Sequence, residues 1–121
     1  MTDYFADTYA IVEYIDGNPA YQQYFNGSIV TSEQNLIELF YALLKKKGEA
    51  TAIKEFIIYS SRKVPTTFSS IRNAMKFKLA HAREKLSYAD CIGYALAQEH
   101  GIPFLTGDRQ FADKENVAFV K

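Results

Sequence analysis

Short apolar runs alternate with longer helical patterns along this chain, and that alternation leaves few folds open to it. Residues 3–6 are brief and aromatic and read as a first strand, with Ser28-Ile29-Val30 as a second. Ile102-Pro103-Phe104-Leu105 reads as a third strand and Val117 to Val120 as the last, reached through a short helical turn around Arg109 to Asp113. Strands separated by helices argue for a parallel α/β sheet. Several helices follow one another between Thr31 and Gly101, so the sheet is small and carries a helical insertion. No internal repeat or low-complexity segment divides the chain, and residues 1–121 read as one domain.

The helices mark their own ends. From Thr8 the apolar positions Ala10, Ile11, Tyr14 and Ile15 repeat at helical spacing until Asp16-Gly17-Asn18. Asn18-Pro19 restarts a helix, with Asn as N-cap and Pro in the first position, and Asn26-Gly27 ends it. Thr31 and Gln34 have capping-box spacing before a helix with Leu36, Leu39, Phe40, Leu43 and Leu44 on one face. Lys45-Lys46-Lys47-Gly48 closes that helix with cations at the negative end of its dipole. Glu49 to Ser61 is predicted helical with Ile53, Phe56, Ile57 and Ile58 inward. After a break at Pro65-Thr66-Thr67, a helix over Phe68 to Lys85 carries a stripe of Phe68, Ile71, Met75, Leu79 and Ala82. Ser87 caps the next helix, which stops at His100-Gly101.

Four carboxylates occupy telling places in this pattern: Asp7, Glu38, Asp90 and Asp108. Asp7 and Asp108 each follow an apolar strand, and in open α/β sheets ligand sites form beyond the carboxyl ends of strands. Asp90 opens a helix, with Gly93 and Ala97 on its face leaving the carboxylate approachable. Glu38 lies within an apolar helix. Structural roles compete with each assignment. Asp7 and Asp108 can serve as N-caps, and Asp90 stands three residues after Ser87 in a capping-box pattern. The helical wheel sets Glu38 opposite the Leu36/Phe40/Leu43 face, where a solvated glutamate is the default. Clustered carboxylates repel unless a cation holds them, and oxygen-only ligands favour Mg²⁺ or Mn²⁺. A metal-dependent phosphoryl-transfer site is therefore expected.

Charge and composition bound the alternatives. The chain is neutral overall, yet residues 1–44 hold six acids and no Lys or Arg, while residues 45–85 hold eleven Lys/Arg against three acids. A basic middle beside an acidic site suits a polyanion held next to bound metal; a pair of solvated helix faces would give the same pattern. Within the long helix, Arg72, Lys76 and Arg83 lie within roughly 40° of one another and are expected to contact the phosphates of such a polyanion. No stretch approaches the ~20 apolar residues of a membrane span. The start, Met1-Thr2-Asp3-Tyr4, lacks the basic region of a signal peptide. Cys91 is the single cysteine, which excludes an intrachain disulfide and fits a reducing cytoplasm. It has no evident base partner, and with His81 and His100 it supplies too few ligands for structural zinc. The nine tyrosines read as core and interface aromatics rather than as stacking platforms.

Taken in order, Ala6-Asp7-Thr8-Tyr9-Ala10, Asn35-Leu36-Ile37-Glu38-Leu39, Leu86-Ser87-Tyr88-Ala89-Asp90, Ala95-Leu96-Ala97 and Ile102 through Phe111 make a set. The set resembles the PIN-domain family of ribonucleases, especially VapC-type toxins of toxin–antitoxin pairs. The likeness spans essentially the whole chain, and the Ser-x-x-Asp helix followed by Thr106-Gly107-Asp108 is its most specific part. It implies a three-layer α/β/α fold and an endoribonuclease using Mg²⁺ or Mn²⁺ held by Asp7, Glu38, Asp90 and Asp108. Thr106 matches the hydroxyl residue that relatives often carry beside the last acid. Gln110 departs from the pattern, since many relatives have another acid there; Asp113 is the nearest substitute. The resemblance also implies a homodimer and a cognate antitoxin that lays a segment over the acidic groove.

Two other classes remain open from sequence. A non-catalytic PIN-like module would bind RNA or protein, although the intact acids argue against it. A phosphoryl-accepting aspartate domain of the haloacid-dehalogenase type needs a second Asp two residues after the first, where this chain has Tyr9. A receiver-like domain needs a Lys after a late strand, where this chain has Thr106-Gly107-Asp108.

Overall fold

Parallel strands must be joined by crossovers, and in this chain the crossovers are helices. The computed structural model describes residues 3–121. The reading of the first residues as free of a signal-peptide region rests partly on Met1 and Thr2, which lie outside the described residues. The elements are β1 (Tyr4–Ala6), α1 (Thr8–Ile15), α2 (Pro19–Phe25), β2 (Ile29–Val30) and α3 (Glu33–Lys47). There follow α4 (Glu49–Ser60), α5 (Phe68–Ala80), α6 (Tyr88–Glu99), β3 (Phe104–Thr106) and β4 (Val117–Phe119), with 3-10 turns at Ala82–Glu84 and Arg109–Phe111. The strands form one parallel sheet in the order β2-β1-β3-β4.

Alternation along the strands divides the interior in two. Phe5 pairs in register with Phe104, and both face the α6 side with Leu96, Tyr94 and Phe111. Ala6 pairs with Leu105, and both face the side covered by Ile11, Leu36, Leu39 and Leu43. Helices thus cover both faces of the sheet, the α/β/α layering expected from the sequence. β1 is the switch point of this order, because the chain leaves it first for β2 on one side and later returns to β3 on the other. The crevice beyond the ends of β1 and β3 is where such folds hold ligands.

Helix caps follow the sequence with one shift. Asn18 accepts from Ala20 N–H, and Gly48, with φ of +90°, turns α3 into α4. The cap of α3 is Ser32, whose hydroxyl accepts from Asn35 N–H, in place of the expected Thr31. Thr31 belongs to the sheet edge, where its backbone pairs with Lys63 and its hydroxyl donates to the Ala6 carbonyl. Sheet pairing therefore claims the residue before the helix can.

Two helices present faces other than the expected ones. α4 buries Ala52 and Tyr59 against α3, while Ile53, Ile57 and Ile58 are exposed. Its apolar residues surround the helix, so periodicity alone could not select the inner face. α5 ends at Ala80, short of the predicted Lys85, and meets the α6 cluster through Ala74, Met75 and Phe77, whose ring lies 4.8 Å from that of Tyr94. Phe68, Ile71 and Leu79 of the expected stripe stand in solvent, with Leu79 79% exposed.

Gly93 shows how tight the α6 packing is. A Cβ there would lie 2.7 Å from Phe5 Cε1 and 3.0 Å from Asn35 Oδ1. The small residues near Asp90 therefore serve contact with the sheet and α3, correcting the expectation that they open a shallow surface. Gly93→Ala should destabilise the chain by about 1–3 kcal/mol through overpacking. A thermal melt checks this, and an unchanged melting temperature would contradict it.

Candidate active site

The crevice is built first from backbone. Asp7 N–H donates to the Leu105 carbonyl at 3.2 Å, which ties the end of β1 to β3. Asp7 is 1% exposed, and its two oxygens have separate partners. Oδ1 accepts from Ala10 N–H at 2.8 Å as the cap of α1, and Oδ2 accepts from the Thr106 hydroxyl at 2.5 Å. That hydroxyl also accepts from Asp108 N–H at 3.0 Å, so Thr106 links the first acid to the last. Asp108 in turn caps the following 3-10 turn, with Oδ1 accepting from Gln110 N–H. Capping and site placement therefore coexist in both residues. Gly107 permits the link, because a Cβ there would lie 2.2 Å from Tyr9 Cε1 and 2.7 Å from the Val120 carbonyl oxygen.

Asp90 enters from the first turn of α6. Ser87 Oγ accepts from its N–H at 3.0 Å, an N-cap bond. Glu38 is half-buried rather than solvated. The Thr8 hydroxyl, 3.2 Å from Glu38 Oε1 and 3.0 Å from the Asn35 carbonyl oxygen, shares its proton between them. Asn35 is fully buried; its Nδ2 donates to Thr8 Oγ1 and its Oδ1 accepts from Ser32. Thr8, Asn35 and Ser32 thus form a bracket that orients Glu38. Sequence reasoning missed this bracket, although a buried polar residue one turn before Glu38 on an apolar helix was its signal.

Electrostatics shows the acids interacting. Burial raises the Asp7 carboxyl well above the ordinary range, with Asp90 and Asp108 adding to the rise and the Thr106 and Ala10 bonds opposing it. Burial likewise pushes Asp90 up to about 7, with Glu38 and Asp108 adding to it. Among the described residues, the Lys–acid pairs are Lys47–Asp16, Lys63–Glu33 and Lys114–Glu84, so none neutralises the four site acids. Among the described residues, no three such ligands close tightly enough to coordinate an ion as they stand. Mutually repelling carboxylates separate until a cation draws them together. An all-oxygen set, partly buried and without a protein counter-charge, fits a hard divalent cation in its chemistry.

The remaining candidates are placed differently. Arg72 and Lys76 are exposed on α5, whereas Arg83 lies in the separate 3-10 turn; the three do not share one helix edge. Lys78, which forms no ion pair with the site acids, lines a cavity with Glu38. Asp113 is exposed in the turn after Phe111, and Gln110 donates its side-chain amide to the Glu84 carbonyl. Burial pushes the Cys91 thiol up to about 11, the wrong direction for a nucleophile.

Fold and site together define an α/β domain with carboxylates gathered at a sheet switch point. The chain belongs to the PIN-domain family, whose model, PIN domain, matches residues 4–117. Its fold is similar to VapC20 of Mycobacterium tuberculosis, a sarcin-ricin-loop-cleaving toxin, at a TM-score of 0.79 and 18% identity over 98% of this chain and 99% of that one. It is also similar to DNA-bound VapBC from Salmonella typhimurium, at a TM-score of 0.76 and 18% identity over 98% and 97% of the two chains. A toxin–antitoxin complex from Klebsiella pneumoniae gives a TM-score of 0.74 at 17% identity, covering 94% of each chain. Comparison with curated protein sequences finds no match.

A pH dependence follows from Asp90. Its carboxyl binds the proton more tightly in the folded state than at its ordinary 3.8, so that preference supports the fold fully at low pH. The support is lost as pH rises from about 4 to about 7, leaving a destabilising charge. In EDTA, Asp90→Asn should therefore gain on the parent chain across that window and remain more stable above it. Denaturant melts at a series of pH values test this, and parallel profiles for the two proteins would contradict it.

Proposed function

We propose that this protein is a metal-dependent endoribonuclease that hydrolyses RNA phosphodiester bonds, and that it is the toxin of a toxin–antitoxin pair. The observation that carries the reading is the burial of Asp7 and the partial burial of Asp90 beside Glu38 and Asp108, with no ion pair to any of the four among the described residues. Such a cluster opposes folding unless protonation or a bound cation offsets the repulsion. Asp7, Glu38, Asp90 and Asp108 would hold Mg²⁺ or Mn²⁺. When bound, the metal supplies Lewis acidity toward the phosphate and lowers the pKa of the attacking water.

The chain's own groups position the rest. Thr106 fixes the spacing of Asp7 and Asp108, and Thr8 with Asn35 restrains Glu38. A carboxylate left with a free oxygen accepts the water's proton. Arg72 and Lys76, exposed in the basic segment, draw the RNA backbone in by phosphate contacts that carry no sequence information. The reducing cytoplasm suits the lone buried Cys91. For the partner, the solved toxin–antitoxin complex of similar fold supports an antitoxin, and an Arg or Lys of that antitoxin would complement the negative charge of the carboxylates. The exposed α4 face of Ile53 and Ile57 suits a homodimer contact away from the acids.

Asp7→Asn separates chemistry from folding. In metal-free buffer it should melt no lower than the parent, because it removes a buried charge, yet lose about a hundredfold or more of RNA cleavage in Mn²⁺. Cleavage that survives both this substitution and EDTA would contradict the reading.

A further inference from the structure

Tyr88 has no core to explain it. It occupies the first position of α6, two residues before Asp90, and is 66% exposed. Its ring forms a wall shared by two cavities. One, of about 390 Å³, is lined by Gln34, Ile37, Glu38 and Lys78 with Ser87 and Ala89, and so opens onto a site carboxylate. The other, of about 300 Å³, lies toward Leu79, Met75 and Ala82. Lys78 borders both, with its Nζ 4.9 Å from the centre of the Tyr88 ring and donating to the Leu86 carbonyl.

The chemistry of the first cavity is specific. Its walls are largely apolar and one is a flat aromatic face, but the rim carries a cation at Lys78. Gln34 contributes an amide whose oxygen already accepts from the Thr66 hydroxyl at 3.0 Å, which leaves its N–H₂ group as a donor. A flat face, an adjacent cation and a free amide donor are the parts that hold one unstacked nucleotide: stacking, phosphate neutralisation and contact with a base edge. An apolar peptide side chain would use only the first of these.

From this geometry we infer that the cavity between Tyr88 and Glu38 is a nucleobase subsite, which seats a base adjoining the scissile phosphate by stacking on Tyr88. Lys78 neutralises the neighbouring phosphate, and Gln34 donates to an acceptor on the base edge. The inference rests on the ribonuclease reading and adds to it the place where a substrate base is gripped. It gives Tyr88 a stacking role that the sequence-based reading of the tyrosines as core and interface aromatics did not assign.

The test uses single-stranded RNA carrying 2-aminopurine at successive positions, with binding followed by fluorescence in EDTA and cleavage measured separately in Mn²⁺. Stacking on the intact chain should quench the probe at one position. Tyr88→Ala should abolish that quench and weaken binding by about tenfold, in line with the worth of base–aromatic stacking, while Tyr88→Phe retains both. Lys78→Ala should lower the salt dependence of binding by about one unit. Leu79→Ala, which alters only the second cavity, should change neither affinity nor quench. If the parent cleaves and binds RNA but Tyr88→Ala matches it in affinity and quench, the subsite is overturned while the ribonuclease reading stands. If Leu79→Ala and Tyr88→Ala weaken RNA equally, the patch acts as a general apolar surface and the subsite is again overturned. If the parent neither binds nor cleaves RNA, the underlying reading fails. Should Tyr88→Ala and Leu79→Ala impair capture by the cognate antitoxin and leave RNA binding intact, the face docks protein instead.

Discussion

The burial of Asp7 is the constraint on which the rest of this structure depends. A carboxylate at the end of a central strand, 1% exposed and without a cationic partner, is costly unless its oxygens are held. Both are held here, one by the first turn of α1 and the other by Thr106 across the sheet. The second bond requires β1 and β3 to be neighbours, and the parallel register of Phe5 with Phe104 provides that. The acid and the sheet order are therefore one arrangement seen at two scales.

The surrounding elements fix the other acids at increasing distance from this centre. α6 comes close to the sheet because Gly93 has no side chain to hold it off, and that approach carries Asp90 into the crevice. α3 reaches it through Ser32, Asn35 and Thr8, an all-polar bracket within an otherwise apolar interface. Buried polar networks that are fully satisfied specify a geometry, where apolar packing tolerates many. The result is a group of neighbouring acids in which burial raises the proton affinity of Asp7 and Asp90.

Much of this was legible in the sequence, and the exceptions have physical causes. The parallel strands, the helix breaks at Gly17, Gly48 and Gly101, and the strand-end positions of Asp7 and Asp108 all follow from local patterns. Where a helix was apolar on several sides, as in α4, the pattern could not say which face was inside, and Ile53 and Ile57 were assigned inward wrongly. In α5 the inner face runs through Ala74, Met75 and Phe77, so of the expected stripe only Met75 turns inward, because the aromatic partner of Phe77, Tyr94, belongs to another helix that a single-helix pattern does not see. Glu38 looked solvated on a helical wheel because a wheel sees one helix, whereas the groups that half-bury it come from α1 and the Asn35 turn. Tyr88 shows the same limit: an exposed aromatic and a buried one look alike until neighbours are known.

The central claim is that these acids are crowded in order to hold a divalent cation. Binding must then displace protons from carboxyls raised toward neutrality, Asp90 at about 7 and Asp7 well above its ordinary value. The most direct measurement is calorimetry of Mn²⁺ binding near pH 6 in two buffers of different ionisation enthalpy. The account predicts a buffer-dependent heat corresponding to net proton release, diminished in Asp90→Asn. Binding heat that is independent of the buffer, or a complete absence of Mn²⁺ binding, would contradict it.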